Sequence, residues 1–506
     1  MSVVIIVIIL IVALAVITAW AIFLNTPKKS GIIYSASIDD KKELFSVLNY
    51  GSERGEPLIS HAPVSDSKLK KDIWRDHLPV YSLSGEERGL VLGVSGSGKT
   101  TYLVAQLVDW MQSGKSLVVT DIKPEIWSIL HANGVFERYG YEEIIINPTD
   151  ALAHKYNAFD DIDDIEFATE TIELIEILVG DIEFGMGAKL LLRAVLLDLK
   201  ESGEEVSLWQ VRRRLASYED SDELEKDLIK SKSELVRELM AELKKIGGNE
   251  RYVGSCFGAV SQSLRFLDNK AIANNTDVSD VSLRDVLQQP KKAIFLQFDQ
   301  AYQEQTARLF GFTLAHVLRL LQMNFRYRSE VFVAIDEIIN SAPIPRLAQK
   351  LNTMRSAKMP LFMYLQTLSG LNDVYGRDAD KLFMSACSLK ICYRVNENST
   401  AREFSELVGD VDVEKWSSTE MPQVSKTGRT YTQRSINNVP DRRALIEPSE
   451  LLGLETGDAI VIYKGKSARM TMPRYYEIYP MDMSANYATM SELASFNDYT
   501  EQQDTQ

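Results

Sequence analysis

The sequence predicts an α/β protein in which an all-α insertion interrupts a largely parallel sheet and one transmembrane helix precedes it. In two parts of the chain, short β-branched apolar runs alternate with helical patterns, as in parallel α/β sheets. Between these parts lie long stretches rich in Glu, Leu, Lys and Ala, which indicate helices. The runs that predict strands are residues 89–94, 116–120, 143–146, 293–298, 331–335, 361–365, 389–395 and 459–463.

Residues 3–24 are apolar apart from Thr18, which is long enough to cross a hydrocarbon layer of roughly 30 Å as one helix. A cleaved signal peptide is the alternative, but it would carry a basic segment before a shorter apolar core. Lys28 and Lys29 follow the stretch. The positive-inside rule therefore predicts a single-pass protein of the cell membrane, with its N-terminus outside and the bulk of the chain in the cytoplasm.

Five segments follow from these patterns. They are a membrane anchor (1–29), the first part of a nucleotide-binding domain (30–160), the all-α insertion (161–287), the second part of the nucleotide-binding domain (288–482) and a flexible acidic tail (483–506).

Composition limits the possible functions. A formal net charge of −15 over 506 residues excludes a protein coated in basic surface, so any nucleic-acid contact must be confined to a patch or a pore. Cys256, Cys387 and Cys392 form neither an even disulfide framework nor a zinc-type pair, which suits a reducing compartment. The five histidines are too scattered for metal-ligand spacing.

The most informative motif follows the first predicted strand and fits the pattern GxxxxGK[ST], the Walker A loop. Its glycines let successive backbone N–H groups face phosphates, and the following helix adds a partial positive charge. Lys99 is expected to reach the β- and γ-phosphates of ATP, and Thr100 to offer a hydroxyl to Mg²⁺. The predicted nucleotide-binding residues are Gly93, Ser95, Gly96, Ser97, Gly98, Lys99, Thr100 and Thr101. This loop predicts a RecA-like P-loop nucleotide-binding domain.

A pair of carboxylates, Asp336 and Glu337, ends the apolar run 331–335 and is the Walker B candidate. Asp336 would hold Mg²⁺ directly or through water, and Glu337 would polarise the attacking water as general base. Acidic residues after a strand also cap the next helix, which is the alternative for this motif.

From about residue 88 to about residue 476 the chain resembles the type IV coupling protein family, the hexameric ATPases of conjugation and related secretion systems. The resemblance rests on motifs in the same order, and no single one is specific. They are Asp121-Ile122-Lys123-Pro124-Glu125, Asn147-Pro148, Asp336-Glu337, Met354-Arg355-Ser356, Leu365-Gln366, Tyr375-Gly376 and the segments 404–409 and 444–451.

The resemblance implies roles for two further residues. Gln366 would be a sensor near the γ-phosphate, and Arg355 an arginine finger for the ATP of a neighbouring subunit. A carboxamide can orient water, and a guanidinium can neutralise charge on the transferring phosphoryl group. Arg355 is equally compatible with a surface or ion-pairing position.

The resemblance also implies a homohexamer, and an all-α domain that engages cargo. Arg212-Arg213-Arg214 is the clearest basic cluster of the insertion, and it suits either phosphate contacts or pairing with nearby carboxylates such as Glu204.

The leading hypothesis is an ATP-driven motor that moves single-stranded DNA, a relaxase–DNA complex or a protein into the channel proteins of a type IV secretion system at the cytoplasmic membrane. One alternative is a FtsK-like or HerA-like pump for double-stranded DNA, although such pumps usually lack a helical insertion between the two Walker motifs. The other is a membrane-tethered receptor that ATP gates without transport.

Overall fold

The computed structural model describes residues 32–34, 57–59, 80–81, 87–247, 250–298, 302–323, 326, 328, 330–424, 430–483, 485 and 487–504. These residues fall into two compact units. The larger unit comprises residues 39–401 and 451–506, and the smaller unit comprises residues 1–38 and 402–450.

A nine-stranded sheet forms the centre of the larger unit, with strand order β14-β13-β10-β4-β9-β8-β5-β7-β6. Its seven strands from β10 to β6 are parallel, and β13 and β14 add an antiparallel edge. The strands are β4 (Arg88–Leu92), β5 (Ser116–Thr120), β6 (Glu142–Ile146), β7 (Lys292–Leu296), β8 (Val331–Asp336), β9 (Leu361–Leu365), β10 (Leu389–Cys392), β13 (Asp458–Tyr463) and β14 (Lys466–Thr471). All eight predicted strands are confirmed, and β14 is additional.

Burial on both faces explains why the central strands are continuous apolar runs. Every residue of β4, β5 and β9 is buried, as expected for a parallel sheet covered on both sides. Large aromatic rings fill one side: the ring centroids of Trp110 and Phe332 lie 5.5 Å apart, and those of Phe332 and Phe362 are equally close. Arg88 is the one charged residue of β4. It is buried like its neighbours, and its guanidinium donates to the backbone carbonyl oxygens of Met359 and Leu351.

Helices connect the strands and cover the sheet. In chain order they are α1 (Lys99–Met111), α2 (Ile126–Ala132), α3 (Val135–Tyr139), α4 (Phe167–Val179), α5 (Gly185–Glu201), α6 (Leu208–Ala216), α7 (Ser221–Ile229), α8 (Glu234–Gly247), α9 (Glu250–Ser263), α10 (Lys270–Asn275), α11 (Leu283–Val286), α12 (Gln303–Met323), α13 (Leu347–Thr353), α14 (Ser369–Tyr375), α15 (Ala379–Ala386), α16 (Asn398–Val408), α17 (Pro448–Leu452), α18 (Tyr475–Ile478) and α19 (Met490–Asp504). Short 3-10 turns lie at Ala158–Asp161, Arg265–Asp268, Ile338–Asn340 and Met354–Ala357.

The helices α4 to α11 occupy the interval between β6 and β7. Close packing of α5 against α9 depends on Gly187, because a Cβ there would lie 2.3 Å from the sulfur of Cys256. These helices belong to the same compact unit as the sheet. The predicted insertion boundaries, 161 and 287, stay predictions.

A long hairpin dominates the smaller unit and was missed by the sequence analysis, which assigned residues 288–482 to the nucleotide-binding domain. Strands β11 (Asp410–Val424) and β12 (Thr430–Ala444) pair antiparallel in continuous register, and β1 (Ile32–Tyr34) pairs with β11. Prolines stand within both long strands and polar residues are frequent. That composition hides the apolar alternation by which strands are usually recognised. A two-stranded sheet in the larger unit joins β2 (Pro57–Ile59) and β3 (Val80–Tyr81).

The C-terminal segment corrects another prediction. A flexible tail was expected from residue 483, whereas α19 covers Met490–Asp504. Tyr487, Met490 and Leu493 pack against the hydrophobic core, and the backbone N–H of Ser491 donates to Asp150 at 3.0 Å. Burial of these apolar side chains outweighs the polar, acidic composition that suggested a tail.

The predicted transmembrane segment, residues 3–24, lies outside the described residues. Within the described part of the chain, no helix is both long enough and apolar enough to span a bilayer.

His316 of α12 is fully buried, and its two ring nitrogens have no hydrogen-bond partner among the described residues. Burial, together with the nearby positive charges of Arg284 and Arg319, lowers its pKa from 6.5 to about 3. The folded protein therefore holds a neutral imidazole that the unfolded chain would protonate below pH 6.5.

We expect His316→Leu to reduce the acid sensitivity of folding. Because the folded-state pKa is depressed, the wild type has full stability above pH 6.5 and loses about 2 kcal/mol between pH 7 and pH 5 from this residue alone. Urea unfolding of the purified chain at both pH values measures the loss. Equal losses in wild type and variant would contradict the assignment.

Candidate nucleotide-binding site

The Walker A loop leaves the carboxyl end of β4 between its two parallel neighbours. The N–H of Gly93 donates to the carbonyl oxygen of Leu365 at 3.1 Å, and the N–H of Val94 donates to that of Arg394 at 2.9 Å. A Cβ on Gly93 would lie 2.6 Å from the Oγ of Ser97 and 2.7 Å from the Cβ of Tyr393. Position 93 therefore requires glycine, because a Cβ atom would clash with both neighbours.

Farther along the loop, two glycines are required because the backbone adopts positive φ angles. Gly96 and Gly98 have φ angles of +74° and +111°, in the left-handed region that L side chains disfavour. Gly98 directly precedes α1, so the loop turns straight into the helix N-terminus. This geometry exposes successive N–H groups to an anion.

Lys99 begins α1, and its ammonium donates to the carbonyl oxygens of Gly93 and, at 3.1 Å, Val94. Burial lowers its pKa, while the negative charges of Asp336 and Glu337 act in the opposite direction. A buried cation is thus held over the loop, facing the two carboxylates that end β8.

Asp336 is fixed by Thr120 of the neighbouring strand. Its backbone N–H donates to the Oγ1 of Thr120 at 2.7 Å, and that hydroxyl donates to the carbonyl oxygen of Asp336 at 3.1 Å. Burial raises the pKa of the Asp336 carboxyl to about 8, with further contributions from Glu337 and Asp121, and Lys99 opposes the shift. Repulsion among these carboxylates is a feature that a bound cation would relieve.

Glu337 adopts a φ of +53°, uncommon for a residue other than glycine. Its backbone N–H donates to the carbonyl oxygen of Tyr364 at 2.9 Å. Its carboxylate accepts from the Nε2 of Gln366 at 2.6 Å and from the Nδ2 of Asn340 at 2.8 Å. The side chain is therefore held in one orientation by two amides, and Gln366 lies in contact with Glu337.

These elements enclose a cavity of about 420 Å³. The predicted residues that line it are Ser95, Gly96, Gly98, Lys99, Thr100, Thr101, Asp336 and Glu337. Gly93 and Ser97, which were also predicted, belong to the loop but are not among the residues that line the cavity. The backbone of Arg355 lies in the 3-10 turn Met354–Ala357, and its side chain is outside the described residues.

Val94 of the loop also lines the cavity. Outside the loop, sequence reasoning assigned no site role to five further lining residues: Lys123, Glu125, Thr456, Arg474 and Tyr476. The first two belong to the motif that follows β5, so a signal for them existed. The other three come from the C-terminal part of the chain, where isolated residues carried no recognisable pattern.

The turn at Thr456 supports the loop from the other side. The N–H of Gly457 donates to the carbonyl oxygen of Ser97 at 3.0 Å, and the Nη2 of Arg474 donates to that of Thr456 at the same distance. Gly457 has a φ of +94°. The C-terminal strands thus brace the Walker A loop and complete the cavity.

Asp121 explains how the segment after β5 is held. Its carboxylate is fully buried and accepts from the backbone N–H groups of Glu125, Ile126 and Trp127 at 2.9–3.2 Å, capping α2. Burial raises its pKa to about 6, although these hydrogen bonds favour the charged form. The cap positions Lys123 and Glu125 at the cavity.

The fold and the loop together define a nucleotide-binding α/β protein of the P-loop class. The chain belongs to the type IV secretory system conjugative DNA transfer family, whose model matches residues 52–503. A search of the curated proteins found no match.

Solved structures of the plasmid coupling protein TrwB share the fold. The complex with ADP and Mg²⁺ has a TM-score of 0.61 at 18% identity, over 85% of this chain and 95% of that one. The complex with the ATP analogue ADPNP has the same TM-score and identity, over 86% and 97%. The unbound form has a TM-score of 0.57 at 19% identity, over 85% and 94%.

We expect Gly93→Ala to weaken nucleotide binding by about tenfold or more, since relieving the two short contacts must distort the loop at a cost of about 1–3 kcal/mol. A fluorescent ATP analogue measures the affinity. Gly134→Ala is the matched control: its φ is +62° and nothing lies within 4 Å of the added Cβ. It should cost about 1 kcal/mol of stability and leave affinity unchanged. Wild-type affinity in Gly93→Ala would contradict the packing argument.

Proposed function

We propose that this chain is a membrane-anchored ATPase that couples cargo to a type IV secretion channel, recruiting DNA, a nucleoprotein or a protein and driving its transfer by ATP hydrolysis. Family membership supports the role in conjugative DNA transfer. One observation supports ATP hydrolysis most directly. The Walker A loop and Glu337 line the same cavity, and the side-chain amides of Asn340 and Gln366 hold the Glu337 carboxylate in place.

The residues present fit ATP with Mg²⁺. Thr100 and Asp336 line one cavity, and Asp336 is a partly buried carboxyl group whose pKa is raised by burial and by the neighbouring Glu337 and Asp121. In the described part of the chain, no group of three or more His, Cys, Asp or Glu residues could hold a metal. One carboxylate and one hydroxyl suit Mg²⁺, which keeps waters and takes other ligands from substrate phosphates. Bound there, Mg²⁺ would neutralise charge on the phosphate oxygens.

Hydrolysis would then divide among this chain's own groups. The loop N–H groups and Lys99 bind the phosphates and stabilise negative charge on them. Glu337 accepts a proton from the attacking water while Gln366 and Asn340 keep its carboxylate oriented. The new bond joins water oxygen to the γ-phosphorus, the bond to the β–γ bridging oxygen breaks, and ADP and phosphate leave.

Assembly and location belong to the same proposal. The apolar stretch 3–24, followed by Lys28 and Lys29, supports a single membrane helix with the remaining chain in the cytoplasm. A homohexamer would place Arg355 of one subunit near the nucleotide of the next; that role, and the sensor role of Gln366, remain predictions.

We expect Glu337→Gln to lower ATP hydrolysis by about 10²–10⁴-fold while nucleotide binding persists, because the amide keeps the side chain's size and cannot accept the proton. Lys99→Ala should lose both binding and hydrolysis. Steady-state phosphate release with and without single-stranded DNA, beside nucleotide binding, measures the difference. Wild-type turnover in Glu337→Gln would remove Glu337 as the base.

Mg²⁺ binding should release protons in a pH-dependent way. With a pKa of about 8, the Asp336 carboxyl is mostly protonated at pH 7 and must ionise to bind a cation. Calorimetric titration in buffers of different ionisation enthalpy should give close to one proton released per Mg²⁺ at pH 7 and almost none at pH 9. Asp336→Asn should abolish the release, and a constant proton count in the wild type would refute the assignment.

A further inference from the structure

A second cavity, of about 660 Å³, lies where the C-terminal end of α9 and the turn Arg265–Asp268 meet α12. Its volume falls within the range of about 300–1,000 Å³ that ligand sites occupy. Polar groups predominate in its lining: Gln262, Ser263, Arg265, Asp268, Asn269 and Arg308. Neither Walker motif contributes to it, so it is separate from the nucleotide site.

Arg308 carries a partly buried charge into this cavity. Its Nη1 donates to the carbonyl oxygen of Leu178 at 3.0 Å and to the Oγ of Ser263 at 3.4 Å, both neutral groups. Burial lowers its pKa, and among the described residues no carboxylate counteracts that effect. Even partial burial of a guanidinium without a counter-charge is unfavourable, and an anion in the cavity would offset that cost.

Arg265 is exposed at the cavity and makes no ion pair or hydrogen bond through its side chain among the described residues. Asp268 is the single carboxylate among the described lining residues, and it forms a salt bridge with Arg212. The guanidinium of Arg212 also lies 5.8 Å from the ring centroid of Trp209. Since Asp268 is already neutralised, the two remaining arginines give the cavity a positive charge in a chain that is strongly acidic overall.

The cavity is linked to the Walker B segment. The carbonyl oxygen of Ala307, adjacent to Arg308, accepts from the N–H of Ala342 at 2.9 Å. Ala342 lies two residues after Asn340, whose amide donates to the carboxylate of Glu337. One hydrogen bond and two residues of chain therefore connect α12 at Arg308 to Asn340. A displacement of α12 there would reach the amide that orients Glu337.

From this geometry we infer that the cavity is a phosphate-binding site, occupied by the phosphodiester backbone of single-stranded DNA. Two arginines with unused donors suit phosphate oxygens, and the amides of Gln262 and Asn269 can add contacts without regard to base sequence. That the phosphate belongs to DNA rests on the proposed function, whereas the existence of an anion-binding site rests on the cavity alone. Free inorganic phosphate is the other source of the same chemistry.

The test compares the full chain with Arg265→Gln, Arg308→Gln and Arg251→Gln. Arg251 is an exposed arginine on α9 outside the cavity, which makes it the matched control. Fluorescence anisotropy with a labelled single-stranded oligonucleotide, at several salt concentrations, gives the affinity and its salt slope. Separate titrations use inorganic phosphate as the probe, and phosphate release from ATP is recorded with and without DNA.

We expect Arg265→Gln to weaken DNA binding by about tenfold and to reduce the magnitude of the salt slope by about 0.7, the value for one lost phosphate contact on a single strand. DNA-stimulated hydrolysis should fall in parallel while basal hydrolysis is retained, and Arg251→Gln should match the wild type. Arg308→Gln should weaken binding similarly. Arg308 also donates to the carbonyl oxygen of Leu178, so Arg308→Gln could misfold. Arg265→Gln removes no side-chain hydrogen bond or ion pair among the described residues, and it is then the decisive variant.

Three outcomes would overturn the inference. If the wild type binds DNA and Arg265→Gln binds it with the same affinity and salt slope, the site is not used by DNA and the proposed function stands. If Arg265→Gln loses inorganic phosphate binding but keeps DNA binding, the cavity takes a free anion. If the wild type hydrolyses ATP and does not bind DNA at all, the DNA cargo fails, and this assignment with it.

Discussion

The site depends on the alignment of the carboxyl ends of neighbouring parallel strands. Backbone hydrogen bonds from Gly93 to Leu365, from Val94 to Arg394 and from Glu337 to Tyr364 fasten the end of each strand to the next. The Walker A loop and the Walker B carboxylates therefore emerge at one edge of the sheet, although more than two hundred residues separate them in the chain. Parallel sheets place ligand sites at this edge because each strand exits there into a loop.

That edge concentrates charge in a poorly solvated place. Lys99 and Asp121 are buried and Asp336 is partly buried, and burial is the largest cause of each shifted pKa. The helix cap at Asp121 and the hydroxyl of Thr120 hold the groups in place without neutralising them. The poorly solvated ionisable groups therefore cost the empty site some stability. Binding of a polyanionic substrate together with a cation would compensate for that cost.

The sequence was sufficient for the features that local pattern encodes. Apolar β-branched runs predicted eight strands, and the spacing from Gly93 to Thr100 predicted the loop and its role in the cavity. Features set by long-range contact were missed. Arg474 and Tyr476 line the cavity only because the antiparallel edge strands return the chain to the Walker A loop. The C-terminal segment with helix α19 packs near Trp127 and Asp150, which are distant in sequence and come close only in the folded chain. The polar hairpin β11–β12 lacked the periodicity from which strands are inferred.

Strand order gives the chain a particular history during its synthesis. Strand β4 is made first of the nine central strands, yet its partners β9 and β10 begin at Leu361 and Leu389, and the cavity lacks a wall until Tyr476 has emerged. At ribosomal rates of about 5–20 residues per second, roughly 15 to 60 s would pass between translation of the end of β4 at Leu92 and of the end of β10 at Cys392. Throughout that interval the exposed edges of β4 would be open to mispairing, which makes this segment a natural client for a chaperone at the ribosome.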